Sequence, residues 1–179
     1  MKLPRGLALP LGAAVLLVGT ATAIVATPWI EATVDAVFGA APISGAARVV
    51  DGDTLEVSGT RIRLAGIDAP ELGQACADGR GGETRCGLQV RAALAEFIAG
   101  EVVLCRPLGR DRYDRVLATC AARGRDLGTW LVESGLAAAL EGARGRDFRS
   151  AEERARAAGA GLWASGFERP SQWRRRQAE

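Results

Sequence analysis

Three carboxylates and two arginines stand where a plain strand pattern has no use for them. Asp53 lies in D-G-D-T, Asp68 and Glu71 enclose Ala69-Pro70, Arg63 sits late in T-R-I-R-L, and Arg115 follows D-R-Y-D. The Pro70 ring fixes its backbone, so Asp68 and Glu71 project from one rigid turn. Gly52 permits a close backbone approach beside Asp53. Oxygen ligands of this kind suit a hard cation such as Ca²⁺, which tolerates irregular geometry. A phosphodiester near that cation needs further positive charge on its equatorial oxygens, and preorganised arginines stabilise charge that grows in the transition state. Taken singly, each charge reads as a solvated strand end, since exposed charges are the norm. The coincidence of D-G-D-T, R-x-x-x-x-D-x-P-E from Arg63 to Glu71, and D-R-Y-D-R weakens that reading.

The chain contains no histidine. Ser-His-Asp triads, Cys-His pairs, histidine acid–base chemistry and His-ligated zinc or iron are therefore excluded. Catalysis must rest on carboxylates, arginines, the four cysteines or an oxygen-ligated metal. Cys76, Cys86, Cys105 and Cys120 allow three full pairings. Cys76 and Cys86 bracket the Gly-rich stretch ADGRGGETR, and Cys105 and Cys120 lie in apolar segments on either side of an expected turn, which favours 76–86 with 105–120. No C-x-x-C pair supports zinc. Beyond Lys2 every basic residue is arginine, the side chain suited to bidentate phosphate contacts, although compositional bias explains that equally well.

The elements that must position these residues begin with strands. From Ala47, Val49, Leu55 and Val57 alternate with polar residues, Ser58-Gly59 marks a two-residue turn, and Ile62 and Leu64 resume the alternation. Residues 72–86 read as a loop. Leu88, Leu94, Phe97 and Ile98 recur at helical spacing up to Gly100. Strands are expected near 101–106 and 115–121, joined by PLGRDRYD, and a short helix at 127–134. Ser150 to Glu153 matches a capping box for a last helix ending near Ala158. Trp163 in GLW is an anchor aromatic, and WRRRQAE reads as a frayed basic tail. Strands, helix, strands, helix, helix predict an α+β fold, a small β-barrel with helices packed around it.

Residues 6–30 carry no charge and follow Lys2 and Arg5. Ala21-Thr22-Ala23 fits a signal-peptide cleavage site, while the uncharged run continues to Glu31, which favours a retained membrane anchor. Either places the domain outside the cytoplasm by the positive-inside rule. The expected organisation is 1–30 signal peptide or anchor, 31–46 tether, 47–167 domain and 168–179 basic tail. Without Lys2, Arg5, Glu31 and Asp35 the remainder keeps a formal charge of +2, too small to announce nucleic-acid binding by itself.

VVDGDTLEV and RIRLAGIDAPE, supported by DRYDRVLA and GLW, resemble the staphylococcal nuclease (thermonuclease) family over about Ala47 to Trp163. The resemblance implies an OB-like five-stranded barrel with three helices, dependence on Ca²⁺, and cleavage of DNA and RNA to 3′-phosphates; a monomer is expected, though the sequence itself does not give the oligomeric state. It implies that Asp53 and Asp68 hold the calcium, with Ala69 offering a backbone carbonyl where the family has threonine. Glu71 matches the residue that activates or orients the attacking water. Arg63 and Arg115 match the transition-state arginines, and Arg112 and Tyr113 fall where the family holds a terminal phosphate with a lysine and a tyrosine.

Two departures stand out. Asp114 replaces the glycine usual before the second arginine, and could tie Arg115 into a salt bridge or weaken phosphate affinity. GLAAALEGARGRDF lacks the tyrosines that stack on a base, leaving Phe148 or Trp173 as substitutes. Strand alternation also sets Arg63 opposite Ile62 and Leu64, while Asp53 shares the face of Leu55 and Val57. Both serve one site only at the barrel's end. The expected function is a calcium-dependent extracytoplasmic nuclease; the rivals are a non-catalytic module binding nucleic acid or protein, and a membrane-anchored structural domain.

Overall fold

A computed structural model describes residues 40–140, 142 and 147–179. The expected signal peptide or anchor and most of the tether lie outside the described residues. Among the described residues no helix is long and apolar enough to cross a membrane.

The chain runs through β1 (Ile43–Val49), β2 (Thr54–Val57), β3 (Thr60–Leu64), β4 (Ile67–Asp68), β5 (Cys76–Ala77) and β6 (Glu83–Thr84) into helix α1 (Cys86–Phe97). Then come β7 (Val102–Arg110), β8 (Val116–Ala122), β9 (Arg125–Asp126), α2 (Leu127–Glu133), β10 (Ala138–Ala139), α3 (Arg149–Ala157), a 3₁₀ turn (Gly161–Ser165) and α4 (Pro170–Gln177). Five strands in the order β3-β2-β1-β7-β8 close into a barrel when β8 pairs with β3. That closing pair is parallel, with Arg63 opposite Leu117, while the other ring pairings are antiparallel. The result is the expected OB-like α+β fold.

Leu55, Val57, Ile62 and Leu64 are buried in the barrel with Val103, Cys105, Ala118 and Cys120. Each large aliphatic residue so buried contributes about 1.5–3 kcal/mol. Cys105 and Cys120 sit directly opposite across β7 and β8, and their disulfide forms, as does 76–86. The helices cover the barrel, with Val90 and Leu94 of α1 and Leu131 of α2 fully buried. Asp126 caps α2 by accepting from the Thr129 amide at 2.7 Å. Trp163 packs edge-on against Phe167, as an anchor should.

Several local expectations are corrected. β1 starts at Ile43, ahead of Ala47, because the small residues Ser44 to Ala46 are recruited by pairing with β7 rather than by a side-chain pattern. Residues 72–86 are not all loop, since β5 and β6 pair within them. Leu88 is exposed; Val90 and Leu94 mark the inner face of α1. The capping box at Ser150 does not form. α3 starts at Arg149 without a side-chain cap, and Glu152 is buried, accepting from the Ala139 amide at 2.6 Å and pairing with Arg169. The tail is not frayed but helical: Pro170 opens α4, where its missing N–H costs nothing.

A close approach at a glycine positions the Glu71 loop. A Cβ on Gly87, at the start of α1, would lie 1.9 Å from the Glu71 carbonyl oxygen. A Cβ on Gly59 in the β2–β3 turn would meet nothing within 4 Å. Gly87→Ala is therefore expected to cost about 1–3 kcal/mol as an overpacked contact. Gly59→Ala should cost only its left-handed backbone, about 1 kcal/mol. Thermal unfolding followed by circular dichroism checks the order, with Gly87→Ala melting several degrees below Gly59→Ala.

Candidate active site

Asp53 lies just before β2, in the bend at 51–53, and is freed there from strand alternation. The next residue, Thr54, pairs with Arg63, so Asp53 meets the Arg63 side chain at the end of the barrel. Arg63 Nη1 forms an ion pair with Asp53 Oδ1, and Nη2 reaches Asp68 Oδ1 at 3.4 Å. Nη2 also donates to the Ile67 carbonyl at 3.2 Å. The other oxygen of Asp53 accepts from the Ala69 amide at 2.9 Å. Asp53 and Asp68 are each only 3% exposed. Burial lowers the Arg63 pKa, against the opposing charge of Asp68, yet a guanidinium stays cationic at physiological pH. The strand-face conflict between Arg63 and Asp53 is thereby resolved at the barrel's rim.

Asp68 belongs to β4, which pairs with β10 through Ala138 opposite Asp68. Glu152 and Arg169 brace β10 in turn, since Arg169 Nη1 donates to the Ala139 carbonyl at 3.2 Å. Glu71 follows Pro70, and its loop closes on Gln74, whose amide donates to the Glu71 carbonyl at 2.8 Å. The fully buried Gln74 side chain donates to the Glu168 carbonyl at 2.8 Å. The 76–86 disulfide ties the end of that loop to α1. Gly52 lies under Ala69 and Val90, with room for no side chain.

Arg115 comes from the β7–β8 turn. Asp111 organises that turn, accepting from the amides of Tyr113 at 2.8 Å and Arg115 at 3.0 Å. Its second oxygen takes Arg115 Nε at 2.7 Å. Desolvation would raise the Asp111 pKa, but these hydrogen bonds and the charge of Arg115 hold it below its usual value. Asp114 does not bind Arg115. It sits at φ 61°, the left-handed region where glycine is usual, points to solvent, and pairs with Arg110 at 3.3 Å. Tyr113 is 65% exposed, with the guanidiniums of Arg112 and Arg115 at 4.8 and 5.5 Å from its ring centre.

All eight expected site residues line one cleft of 640 Å³. Asp51, Asp111, Leu140 and Arg174 join them there, and sequence reasoning missed these four. Arg174 is the most consequential. Reaching from α4, it holds Asp68 with Nη1 and Nη2, each at 3.1 Å, and Glu71 with Nη1 at 2.7 Å. Burial opposes its charge, but the hydrogen bonds it donates to Asp68 and Glu71, with their negative charges, raise its pKa above the ordinary value. Pro170 ahead of W-R-R-R was the local sign of a helix, but nothing local says that the helix aims at Asp68. Neither proposed stacking substitute lines the cleft: Phe148 is buried against Gly128, and Trp173 lies over Gly73.

The donors suit a hard cation. Arg63 contacts both Asp53 and Asp68, which sets the two carboxylates on the same rim of the cleft. The described residues hold no cluster of three His, Cys, Asp or Glu placed to bind a metal. Asp53 and Asp68 would act as a pair, with carbonyl and solvent oxygens completing a sphere of the kind Ca²⁺ accepts.

Comparison with known proteins agrees with this geometry. The sequence is 44% identical over 126 residues to the succinoglycan biosynthesis protein ExoI of Rhizobium meliloti, covering 69% of this chain and 66% of that protein. It is 32% identical over 137 residues to a Haemophilus influenzae protein named as an uncharacterized endonuclease, covering 73% of this chain and 71% of that one. A probable endonuclease LCL3 of Verticillium alfalfae is 34% identical over 129 residues, 64% of this chain but 44% of its own length. This chain thus spans just under two thirds of the Rhizobium protein and less than half of the fungal one. The sequence model of the family described as "Staphylococcal nuclease homologue" matches residues 61–165. With the barrel and its rim of carboxylates and arginines, that match establishes that the chain belongs to the staphylococcal nuclease family.

Proposed function

We propose that this protein is a calcium-dependent nuclease that works outside the cytoplasm and hydrolyses DNA or RNA to 3′-phosphate products. The observation that carries the reading is the convergence of Asp53, Asp68, Glu71, Arg63 and Arg115 on one cleft. Nuclease family membership and relatives named as endonucleases support it. Charge supports the cation: five carboxylates face four arginines along the cleft, so a phosphate meets net negative charge unless a divalent ion is present. Two disulfides among the described residues favour an oxidising compartment. Residues 1–30 would hold this monomer at a membrane where they are not cleaved.

Asp53 and Asp68, with the Ala69 carbonyl, would hold Ca²⁺, whose positive charge polarises the phosphate and offsets its anionic oxygens. Glu71 is the one site carboxylate with substantial solvent contact, its side chain 40% exposed. It accepts the proton of a water as that water attacks phosphorus in line with the 5′-oxygen. Arg63 and Arg115 neutralise charge on the equatorial oxygens, their positions preset by Ile67 and Asp111. One of them assists departure of the 5′-oxygen, which leaves the phosphate on the 3′ side. Arg112 and Tyr113, at the rim, engage the terminal phosphate.

Leu140, 44% exposed in the cleft, favours a second reading as a binding module, because it gives a base no aromatic face to stack on. Purified full-length protein incubated with single-stranded DNA or RNA, with Ca²⁺ or a chelator, separates the two. Chelator-sensitive cleavage to 3′-phosphate ends is expected; binding without cleavage would establish the module. Glu71→Gln is expected to lower turnover by about 10²-fold or more, the scale of general base catalysis, while Ca²⁺ binding measured by calorimetry persists. Leu140→Tyr is expected to lower KM for single-stranded DNA about fivefold or more, from the roughly 1–3 kcal/mol of a base–aromatic contact. Steady-state kinetics on a fixed oligonucleotide checks that gain.

A further inference from the structure

We propose that Arg174 is a further residue of the catalytic centre, a guanidinium that Asp68 and Glu71 hold until a cation claims the carboxylates and that the substrate phosphate then takes over. The inference rests on the calcium-nuclease reading and extends it to a helix outside the family match, which ends at residue 165. Arg174 contacts both oxygens of Asp68 and one of Glu71. A guanidinium on both Asp68 oxygens competes with a cation for that carboxylate.

Arg174 is the arginine able to yield. Arg63 is 17% exposed at its side chain and fixed by the Ile67 carbonyl, whereas Arg174 is 44% exposed and makes no comparable backbone contact among the bonds described. Its helix is nevertheless built in. Gln74 holds the Glu168 carbonyl, Arg169 joins Glu152 and the Ala139 carbonyl, and Arg176 pairs with Glu168 at 2.7 Å. The guanidinium therefore stays within the cleft when it leaves the carboxylates. The planar fork that spans two carboxylate oxygens also spans two phosphate oxygens. No covalent step is assigned to it; the exchange is of ionic partners.

The test compares full-length wild type with Arg174→Ala, Arg174→Lys and Arg175→Ala. Arg175 is exposed on the same helix and outside the cleft lining, so its loss reports the general effect of removing one positive charge. Calorimetric titration with Ca²⁺, without nucleic acid, should show Arg174→Ala binding about fivefold tighter than wild type, the scale of an exposed ion pair. Arg175→Ala should shift it less than about twofold. With single-stranded DNA at saturating Ca²⁺, Arg174→Ala should raise KM about tenfold and Arg174→Lys should recover part of it. A merely structural arginine would, on removal, loosen the carboxylates and weaken Ca²⁺ binding, the opposite sign. Ca²⁺ affinity in Arg174→Ala no tighter than in Arg175→Ala overturns the inference and leaves the calcium reading standing. Tighter Ca²⁺ binding with unchanged KM overturns the transfer to phosphate. Absence of Ca²⁺ binding in every protein overturns the calcium reading and this inference together. Thermal melting of each variant confirms that the compared proteins are folded.

Discussion

Two nearly buried carboxylates, Asp53 and Asp68, share the Arg63 guanidinium, and much of the architecture follows from keeping that arrangement together. Charges this far from water are tolerated only when paired and hydrogen-bonded. Removing one partner of such a set costs about 3–5 kcal/mol, because the charges left behind stay buried. The barrel supplies what the set needs. β2 and β3 bring Asp53 to Arg63 through the pair Thr54–Arg63. The parallel closure of β3 on β8 sets Arg63 beside Leu117, and so brings the Arg115 turn to the same rim. A cleft with both arginines is thus a consequence of how the ring closes.

Around that centre, the loop carrying Glu71 is fastened from four directions. Pro70 limits its backbone, Gly87 admits its carbonyl against α1, the 76–86 disulfide holds its far end, and Gln74 ties it to Glu168. The last of these connects the loop to the entrance of α4. Glu152 extends the linkage by holding Arg169 and the β10 amide, and β10 is the partner strand of Asp68. Helices α3 and α4 are therefore not packing alone. They brace the same carboxylates that the barrel presents, from the opposite side.

The barrel strands were legible because Leu55, Val57, Ile62 and Leu64 alternate with polar residues, and burial of one face leaves that trace. The cleft residues were legible as interruptions of the pattern, carried by a family resemblance. What escaped had no periodic trace. Ser44 to Ala46 joined β1 through backbone pairing with β7, which small residues do not advertise. Glu152, within the expected capping box, is buried because Arg169 and the Ala139 amide compensate its charge. Arg174 was lost in a run of arginines, since its partners lie more than a hundred residues earlier, at Asp68 and Glu71. Long-range ion pairs of this kind have no local signature.

Asp111 and Asp114 show how the cleft departs from the family pattern without losing its arginine. The left-handed turn residue before Arg115 is an aspartate, and its carboxylate turns to solvent and Arg110 rather than inward. The inward partner is Asp111, which fixes both the turn backbone and the Arg115 head group. Arg115 is thus preorganised by a neighbour that also adds negative charge to the cleft. With Leu140 on one side of the cleft and Tyr113 the exposed aromatic of its lining, recognition under the proposed function rests mainly on ionic groups acting on the phosphate backbone. Such contacts carry no sequence information and weaken as salt rises. Under the proposed function, the geometry therefore favours a nuclease that reads the charge and shape of a strand rather than its bases, with α4 adding to the positive side of that balance.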